Sequence, residues 1–444
     1  LIEAPPIRDD LTNAPPPAGL TLHMNVTTFV TPGLGDSTYL FEHDGVALLV
    51  DPQRDIDRFV EAAANLNTRF VLETHLHNDY VSGGRSAAQA TGGQLVLPAS
   101  TGAAFDYLPA FHLEDLDGGS FTVRPIHTPG HTPEHVSYLV LVDDEPVALF
   151  SGGSLLVGSA GRSDLLGMDR AQSLARLQYG SVNRLARLPG GVGLYPTHGA
   201  GSFCTSSVAE TAASTIGSEV RTNPVLAHST VESFVADALT GLQPYPDYYA
   251  YMGPLNMEGP DPMPAGSVPA ITADQIPDDA HVIDIRPQAD YAAGHLPGSY
   301  GLELEDQMGV WAGWLVPFNE PIVLVANVNQ DTTAATTQLA RIGYDRVVGI
   351  VTDLGGSDTL ATYRLASIAD LRSELRTGSP QVLDVRTASD WEAMSIPGSF
   401  HRYVPDLRSH LPDGLETDRP VWVICGGGYR SQMAVRYLEA AGFE

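Results

Sequence analysis

Lysine is absent from this chain of 444 residues: all 24 basic residues are arginine. Bases of either kind are scarce beside 53 acidic residues, and the formal net charge is −29. A surface this acidic repels phosphate backbones and anionic lipid heads, so neither nucleic acid nor a membrane is expected as a partner. Cysteine is almost missing as well. Cys204 and Cys425 are too few for a disulfide framework, which points to a reducing compartment and an expected cytoplasmic location. No apolar run approaches the length of a membrane span, and no signal peptide is legible.

What is present starts with length. A chain this long exceeds one hydrophobic core, so two to four domains are expected. Residues 1–20 hold Pro5, Pro6, Pro15, Pro16 and Pro17 and read as an irregular arm. Short apolar runs at 47–50, 70–73, 94–97, 136–142 and 147–150 read as strands, and 56–66 and 170–188 as helical stretches. Histidines cluster among these strands. Residues 74–80 read T-H-L-H-N-D-Y, and the run at 70–72 before them predicts that His75 and His77 emerge at a strand end. Two histidines at i and i+2 with a carboxylate at i+4 can converge on one cation. His127, His131 and His135 follow in H-T-P-G-H-T-P-E-H, and His198 stands alone in Y-P-T-H-G.

Residues 243–269 shift to Pro, Tyr, Met and Gly, the composition of a linker or an interdomain strap. An internal repeat comes next. H-V-I-D-I-R at 281–286 returns as Q-V-L-D-V-R at 381–386, and L-P-G-S at 296–299 as I-P-G-S at 396–399. Each copy reads strand, D-x-R turn, helix, P-G-S turn, strand, loop and helix, a parallel α/β pattern. Cys425 opens the loop C-G-G-G-Y-R-S between an apolar strand and a helix expected to begin near Ser431. Gly426, Gly427 and Gly428 let the backbone curl its N–H groups inward, the helix start adds positive potential, and Arg430 adds a full charge. With Tyr429 and Ser431 completing the loop, such a cradle favours a thiolate and a transferred sulfur held as a persulfide anion. In the first copy Ala326 stands where Cys425 does and Asp331 where Arg430 does, so that copy is expected to be catalytically dead.

The ordered histidine motifs resemble the metallo-β-lactamase fold, in its glyoxalase-II and persulfide-dioxygenase branch, over about the first half of the chain. Both repeats resemble rhodanese domains, the second through its C-x-x-G-x-R loop. The resemblance implies an α/β chain: an αββα sandwich over 21–242, a linker at 243–269, an inactive rhodanese-like domain at 270–358 and an active one at 359–444. The second copy stops at Glu444, directly after its expected helix, so a closing strand is expected to be missing from it.

The resemblance further implies one metal position served by His75, His77 and His131 and another by Asp79, residue 80 and His198, with Asp51 bracing the metal loop. Two positions depart from that pattern. Tyr80 replaces a histidine, and Gly153 in F-S-G-G-S-L stands where a carboxylate completes or bridges the site. A single ion is therefore expected, Fe(II) before Zn(II). Three arrangements stay open: His75, His77 and His131 with water in the vacated position, Asp79 swinging in as a carboxylate ligand, or an empty site. Restoring the carboxylate with Gly153→Asp is expected to raise metal affinity if the histidines converge. Arg162, in G-R-S-D-L, either meets an anionic thiol substrate or forms an ordinary salt bridge. Cys204 either passes sulfur or fills the core. His127 and His135 read as buried hydrogen-bonding residues, His127 above all.

Together these features resemble persulfide dioxygenase–rhodanese fusions. The implied chemistry is oxidation of a low-molecular-weight thiol persulfide to sulfite with iron and O2, then transfer of sulfane sulfur from Cys425 to sulfite to give thiosulfate. A metal-dependent thioester hydrolase is the alternative enzyme, and a metal-free sulfur carrier with only the C-terminal domain active is the alternative from another class. A homo-oligomer is expected.

Overall fold

The computed structural model describes residues 24–205, 212–355 and 360–443. The arm expected at 1–20 lies outside the described residues. Strands β1 (Met24–Thr31), β2 (Asp36–His43), β3 (Val46–Val50), β4 (Asn67–Leu72), β5 (Gln94–Pro98) and β6 (Leu108–Ala110) form one sheet in sequence order. It is antiparallel through β3 and parallel from there to β6. A second sheet uses β7 (Leu116–Asp117), β8 (Thr122–His127), β9 (Val136–Val142) and β10 (Glu145–Gly152). After the short ribbon β11 (Leu155–Leu156) and β12 (Ser159–Ala160), β13 (Gly193–Pro196) and β14 (Ser214–Thr215) complete it in the order β14-β13-β10-β9-β8-β7.

Strand periodicity sorts the side chains into layers. Tyr39, Phe41, Leu48, Val50, Phe70 and Leu72 point inward against Val123, Tyr138, Val140 and Phe150 of the second sheet. Their neighbours Leu40, Leu49 and Val71 point outward and are covered by the helices Asp57–Ala63 and Gly84–Thr91. On the other outer face Leu139, Leu141 and Leu149 pack under the helix Met168–Leu185 through Val182 and Leu185. Both faces of both sheets are thus buried, which is why these strands read as unbroken apolar runs. The result is the αββα sandwich that the sequence led us to expect.

The stretch at 243–269 contains a ten-residue helix, Tyr249–Glu258. Tyr248, Tyr249 and Met252 are buried in one continuous core that also holds Leu34, Tyr80, Val81 and Cys204 of the sandwich and Trp311, Trp314 and Tyr344 beyond the strap. The strap is therefore an integral layer between domains.

The repeat follows as two parallel α/β units. β15 (His281–Asp284), β16 (Tyr300–Gly301), β17 (Ile322–Val325) and β18 (Val347–Val351) run β16-β15-β17-β18. β19 (Gln381–Asp384), β20 (Phe400–His401) and β21 (Val421–Ile424) run β20-β19-β21. The D-x-R turn has the same geometry in both. Asp284 and Asp384 are fully buried, each gripping its own arginine, with Nη2 at 2.5 Å in Arg286 and 2.6 Å in Arg386. Each arginine also donates to a carbonyl eight residues on, Gly294 or Met394. A buried carboxylate demands such a partner, so the motif persists where the rest of the repeat has diverged. Among the described residues no helix is long and apolar enough to cross a membrane.

Candidate functional sites

The parallel strand β4 ends at Leu72, and the loop after it delivers His75, His77, Asp79 and Tyr80 to the edge of the sandwich, all at most 2% exposed. His131, His135 and His198 arrive from the ends of the second sheet, equally buried. Asp51, at the end of β3, braces this loop as the resemblance implied. Its carboxylate accepts from Thr74 N and Thr74 Oγ1, each at 2.7 Å, and from Thr197 Oγ1. Asp51 has φ 50°, a left-handed conformation that aspartate tolerates better than most residues.

His75, His131 and His198 approach one another closely enough for one ligand atom of each to lie within 4.8 Å of the others. Their Nδ1 atoms face outward to fixed partners at 2.8 Å: Thr74 Oγ1, the Arg162 carbonyl and Asp36 Oδ1. His75 Nε2 and His198 Nε2 are 3.3 Å apart, and His131 Nε2 is buried with no partner in the protein. Burial, with His198 beside it, lowers the His131 pKa to about 3, so its ring is neutral and offers a lone pair. For His198 burial opposes the charge, but Asp79 and Asp36 outweigh it and lift its pKa to about 9. Two further sets, Asp51 with His75 and His77, and His77 with Asp79 and His198, also come within ligand distance. The donor set of imidazoles and carboxylates suits a borderline divalent ion such as zinc or ferrous iron.

The positions that depart from the family pattern are structurally specific. Tyr80 stacks on His77 with ring centroids 4.3 Å apart and places its hydroxyl 3.0 Å from His77 Nε2. Gly153 cannot carry a carboxylate here: a Cβ would stand 2.3 Å from His131 Cδ2. That changes the expectation for Gly153→Asp. The variant should push His131 out of the cluster, and it is expected to lose bound metal and melt earlier than the parent, as metal analysis and thermal unfolding would show.

His135 is accounted for by hydrogen bonds, with Nδ1 at 2.9 Å from Thr128 Oγ1 and Nε2 accepting from Gly153 N at 2.9 Å. His127 lies near the Pro133 carbonyl and is partly exposed, so its expected burial is not what the structure shows. Cys204 is fully buried and donates to Asp79 Oδ2 at 3.2 Å; burial and that carboxylate push its thiol well above the usual range. It sits in the shared core as a protonated thiol. Arg162 makes a buried bidentate pair with Asp164, at 2.8 and 2.6 Å, and also donates to the Phe203 carbonyl.

Residues distant in sequence close this loop from outside. Asn256 donates to the carbonyls of His77 and Tyr80, each at 2.9 Å, and accepts from Ser82 N at 2.8 Å. Tyr248 donates to the Asp79 carbonyl. Val81 N donates to the Arg341 carbonyl in the first repeat. Asn256→Ala would leave three backbone groups without partners, and is expected to cost about 2–4 kcal/mol and to raise amide hydrogen exchange across residues 77–82. A small, partly open cavity, lined in part by Glu73, His75, His77, Arg85, Phe105 and Asn256, reaches the cluster from the strap side. Asp36, Tyr248 and Asn256 gave no local signal, because none lies in a motif with the ligands; Glu73, four residues before His77, was within reach of the same spacing argument.

At the other end of the chain, β21 ends at Ile424 and Cys425 begins the glycine loop. The helix after it is Tyr429–Ala440, starting two residues before the expected Ser431. Gly428 caps it with φ 91° and directs its N–H to Cys425 Sγ at 3.0 Å. Ser431 Oγ lies 3.8 Å from the same sulfur and donates to the Gly428 carbonyl. Cys425 is partly exposed, and Arg430, near the loop, pairs with Asp390 at 3.4 Å. The Cys425 sulfur thus lies at a helix N-terminus as the loop sequence led us to expect, while the Arg430 guanidinium is engaged by Asp390.

Comparison with known proteins agrees with both halves. Residues 31–198 match the metallo-beta-lactamase superfamily model, and residues 269–353 and 367–444 each match the rhodanese-like domain. The chain carries a metallo-beta-lactamase superfamily domain followed by two rhodanese-like domains. A metallo-beta-lactamase structure from Staphylococcus aureus aligns over 74% of this chain and 99% of its own, with 26% identity and a TM-score of 0.69. A probable metallo-hydrolase of Burkholderia pseudomallei is 30% identical over 202 residues, 39% of this chain and 66% of that protein. A hydroxyacylglutathione hydrolase of Methylobacillus flagellatus is 31% identical over 164 residues, 36% of this chain and 60% of that protein. The chain thus spans under two thirds of the length of these curated relatives.

The two rhodanese-like domains differ where their sequences do. In the first, Ala326 follows β17, and the helix Thr332–Arg341 begins only after Asp331, whose carboxylate accepts from Ala334 N at 3.0 Å. Asp331 itself satisfies the helix start that an anionic group would otherwise occupy. Gln330 donates to the Ile285 carbonyl and Asn327 to Asp290, so side chains also fill the loop. This domain instead braces the Cys425 loop: Gln288 donates to the Gly428 carbonyl at 3.2 Å, and the Glu303 carbonyl accepts from Tyr429 Oη at 2.9 Å.

Proposed function

We propose that this protein is a sulfane-sulfur enzyme whose C-terminal rhodanese-like domain transfers sulfur through Cys425. The observation that carries this reading is the partly exposed Cys425 sulfur with the Gly428 N–H directed onto it at 3.0 Å at the start of a helix. The Cys425 thiolate attacks the sulfane sulfur of a donor and the donor's S–S bond breaks, a thiol persulfide leaving as a thiolate and thiosulfate leaving as sulfite. Sulfite then attacks the outer sulfur of the Cys425 persulfide; thiosulfate leaves and the thiolate returns. The Gly428 amide, the helix start and Arg430 offset the negative charge on the outer sulfur. Mass spectrometry after exposure to thiosulfate should find one added sulfur atom on the peptide carrying Cys425; an unmodified Cys425 under turnover would refute the reading.

For the metallo-beta-lactamase domain, the reading that fits this partner domain is oxidation of a low-molecular-weight thiol persulfide. Persulfide, O2 and water give thiol, sulfite and two protons, the sulfane sulfur losing the four electrons that O2 takes up. A bound ferrous ion would supply O2 activation; the buried histidine cluster would hold that ion, and Arg85 at the cavity would attract an anionic persulfide. Sulfite made there is the acceptor that Cys425 requires. The hydroxyacylglutathione hydrolases among the relatives favour a second reading, hydrolysis of a glutathione thioester. Iron content with O2 uptake on glutathione persulfide supports the oxidation, whereas zinc with thioester cleavage replaces it.

A further inference from the structure

We infer that the N-terminal domain holds a single divalent transition-metal ion on the Nε2 atoms of His75, His131 and His198, with His77 outside the coordination sphere. This set differs from the division implied by the sequence, in which His77 joined His75 and His131 while His198 served a second position. The inference rests on the reading that this domain binds a metal at all.

Three independent features select these atoms. The first is spacing. At metal–nitrogen distances of about 2.0–2.1 Å, tetrahedral geometry places two imidazole nitrogens about 3.3 Å apart. His75 Nε2 and His198 Nε2 are 3.3 Å apart, and a ligand atom of His131 lies within 4.8 Å of both residues. The second is orientation. A metal-binding imidazole is ordinarily held through its other nitrogen by a carboxylate, carbonyl or hydroxyl. All three rings meet that condition at 2.8 Å, through Thr74, Arg162 and Asp36, so each Nε2 faces the cluster; an ion there displaces the proton that His75 Nε2 and His198 Nε2 share across 3.3 Å. The third is an orphan atom. His131 Nε2 is buried without a partner in the protein, a cost that an ion at this point removes.

His77 is held elsewhere. Its Nε2 faces Tyr80 Oη at 3.0 Å, Glu73 Oε2 at 3.1 Å and Asp51 Oδ1 at 3.3 Å. Its Nδ1 is buried and unpartnered, which makes it the rival ligand that a test must exclude. The set of His77, Asp79 and His198 would compete for a ring whose Nδ1 already faces both Asp36 and Asp79. Tyr80 is thus a positioning residue, holding His77 away from the ion. With no side chain at Gly153, the ion keeps an open position for water or a sulfur ligand.

The test uses the full chain, stripped of metal and reloaded with Zn(II) or Co(II). Elemental analysis should give one ion per chain. His131→Gln and His198→Gln should each weaken binding at least about a hundredfold, and His77→Gln should change it by no more than about threefold, with far-ultraviolet circular dichroism confirming the fold. Should His77→Gln not fold, nitrogen-15 NMR of the zinc-loaded parent decides instead, with metal-bound Nε2 signals for three histidines and none for His77. Two ions per chain, or binding lost in folded His77→Gln and kept in His198→Gln, would overturn the ligand assignment while leaving metal binding intact. A parent chain that takes up neither metal overturns both.

Discussion

Cys425→Ser is expected to abolish thiosulfate:cyanide sulfur transfer, a loss on the order of a thousandfold or more, while the melting temperature stays within about 1 °C of the parent. A serine hydroxyl fits the same space and still accepts from Gly428 N, so the loop keeps its shape. What disappears is an atom able to form and break a bond to sulfane sulfur. Since the first rhodanese-like domain has Ala326 at the matching place, it supplies no second nucleophile. Ala326→Cys in the Cys425→Ser background should not restore transfer, because Asp331 occupies the helix start and Asn327 and Gln330 fill the loop. Transfer surviving in Cys425→Ser, measured by thiocyanate formation, would remove the basis of the proposed function.

Asp51→Ala should produce the largest loss of stability, about 3–5 kcal/mol, seen as an early unfolding transition of the sandwich in calorimetry. The carboxylate is fully buried and receives three hydrogen bonds from Thr74 and Thr197. It also sits 3.3 Å from His77 Nε2. Burial opposes charge on His77, yet Asp51 and Glu73 prevail and raise its pKa well above the usual histidine range. Removing Asp51 leaves those donors and a buried imidazolium short of partners, and puts alanine at φ 50°. Asp51→Asn keeps the backbone conformation and one acceptor, so it should lose less. Equal melting of both variants and the parent would mean that the brace is not structural.

The strands of the sandwich, at 47–50, 136–142 and 147–150, were legible because buried sheets need unbroken apolar runs. The repeat was legible because Asp284–Arg286 and Asp384–Arg386 satisfy the same buried charge twice. The Cys425 loop was legible for a similar reason. Its cradle is local, built from seven consecutive residues, so that order in the sequence implies order in space.

The histidine cluster was legible only as a list of participants. Which nitrogen of His77 faces which oxygen depends on Glu73, Asp51 and Tyr80 together, and no spacing encodes a ring's rotation. That Gly153 leaves room for the His131 ring is equally a matter of how two loops meet. The stretch at 243–269 shows the same limit: its composition suggested a linker or an interdomain strap, and only the structure shows Tyr248 and Asn256 gripping the backbone of the loop that carries His77, Asp79 and Tyr80.

By itself, then, the sequence determined the three domains, the candidate nucleophile Cys425 and the set of candidate ligands, because those are written in residues close together along the chain. Tertiary structure alone decided which imidazole nitrogens converge, what fills the first rhodanese-like loop and what closes over the histidines. Those outcomes depend on contacts between residues far apart along the chain, 37 and 45 positions for Asn327 with Asp290 and Gln330 with Ile285, and 123 and 179 for His75 with His198 and Asn256 with His77.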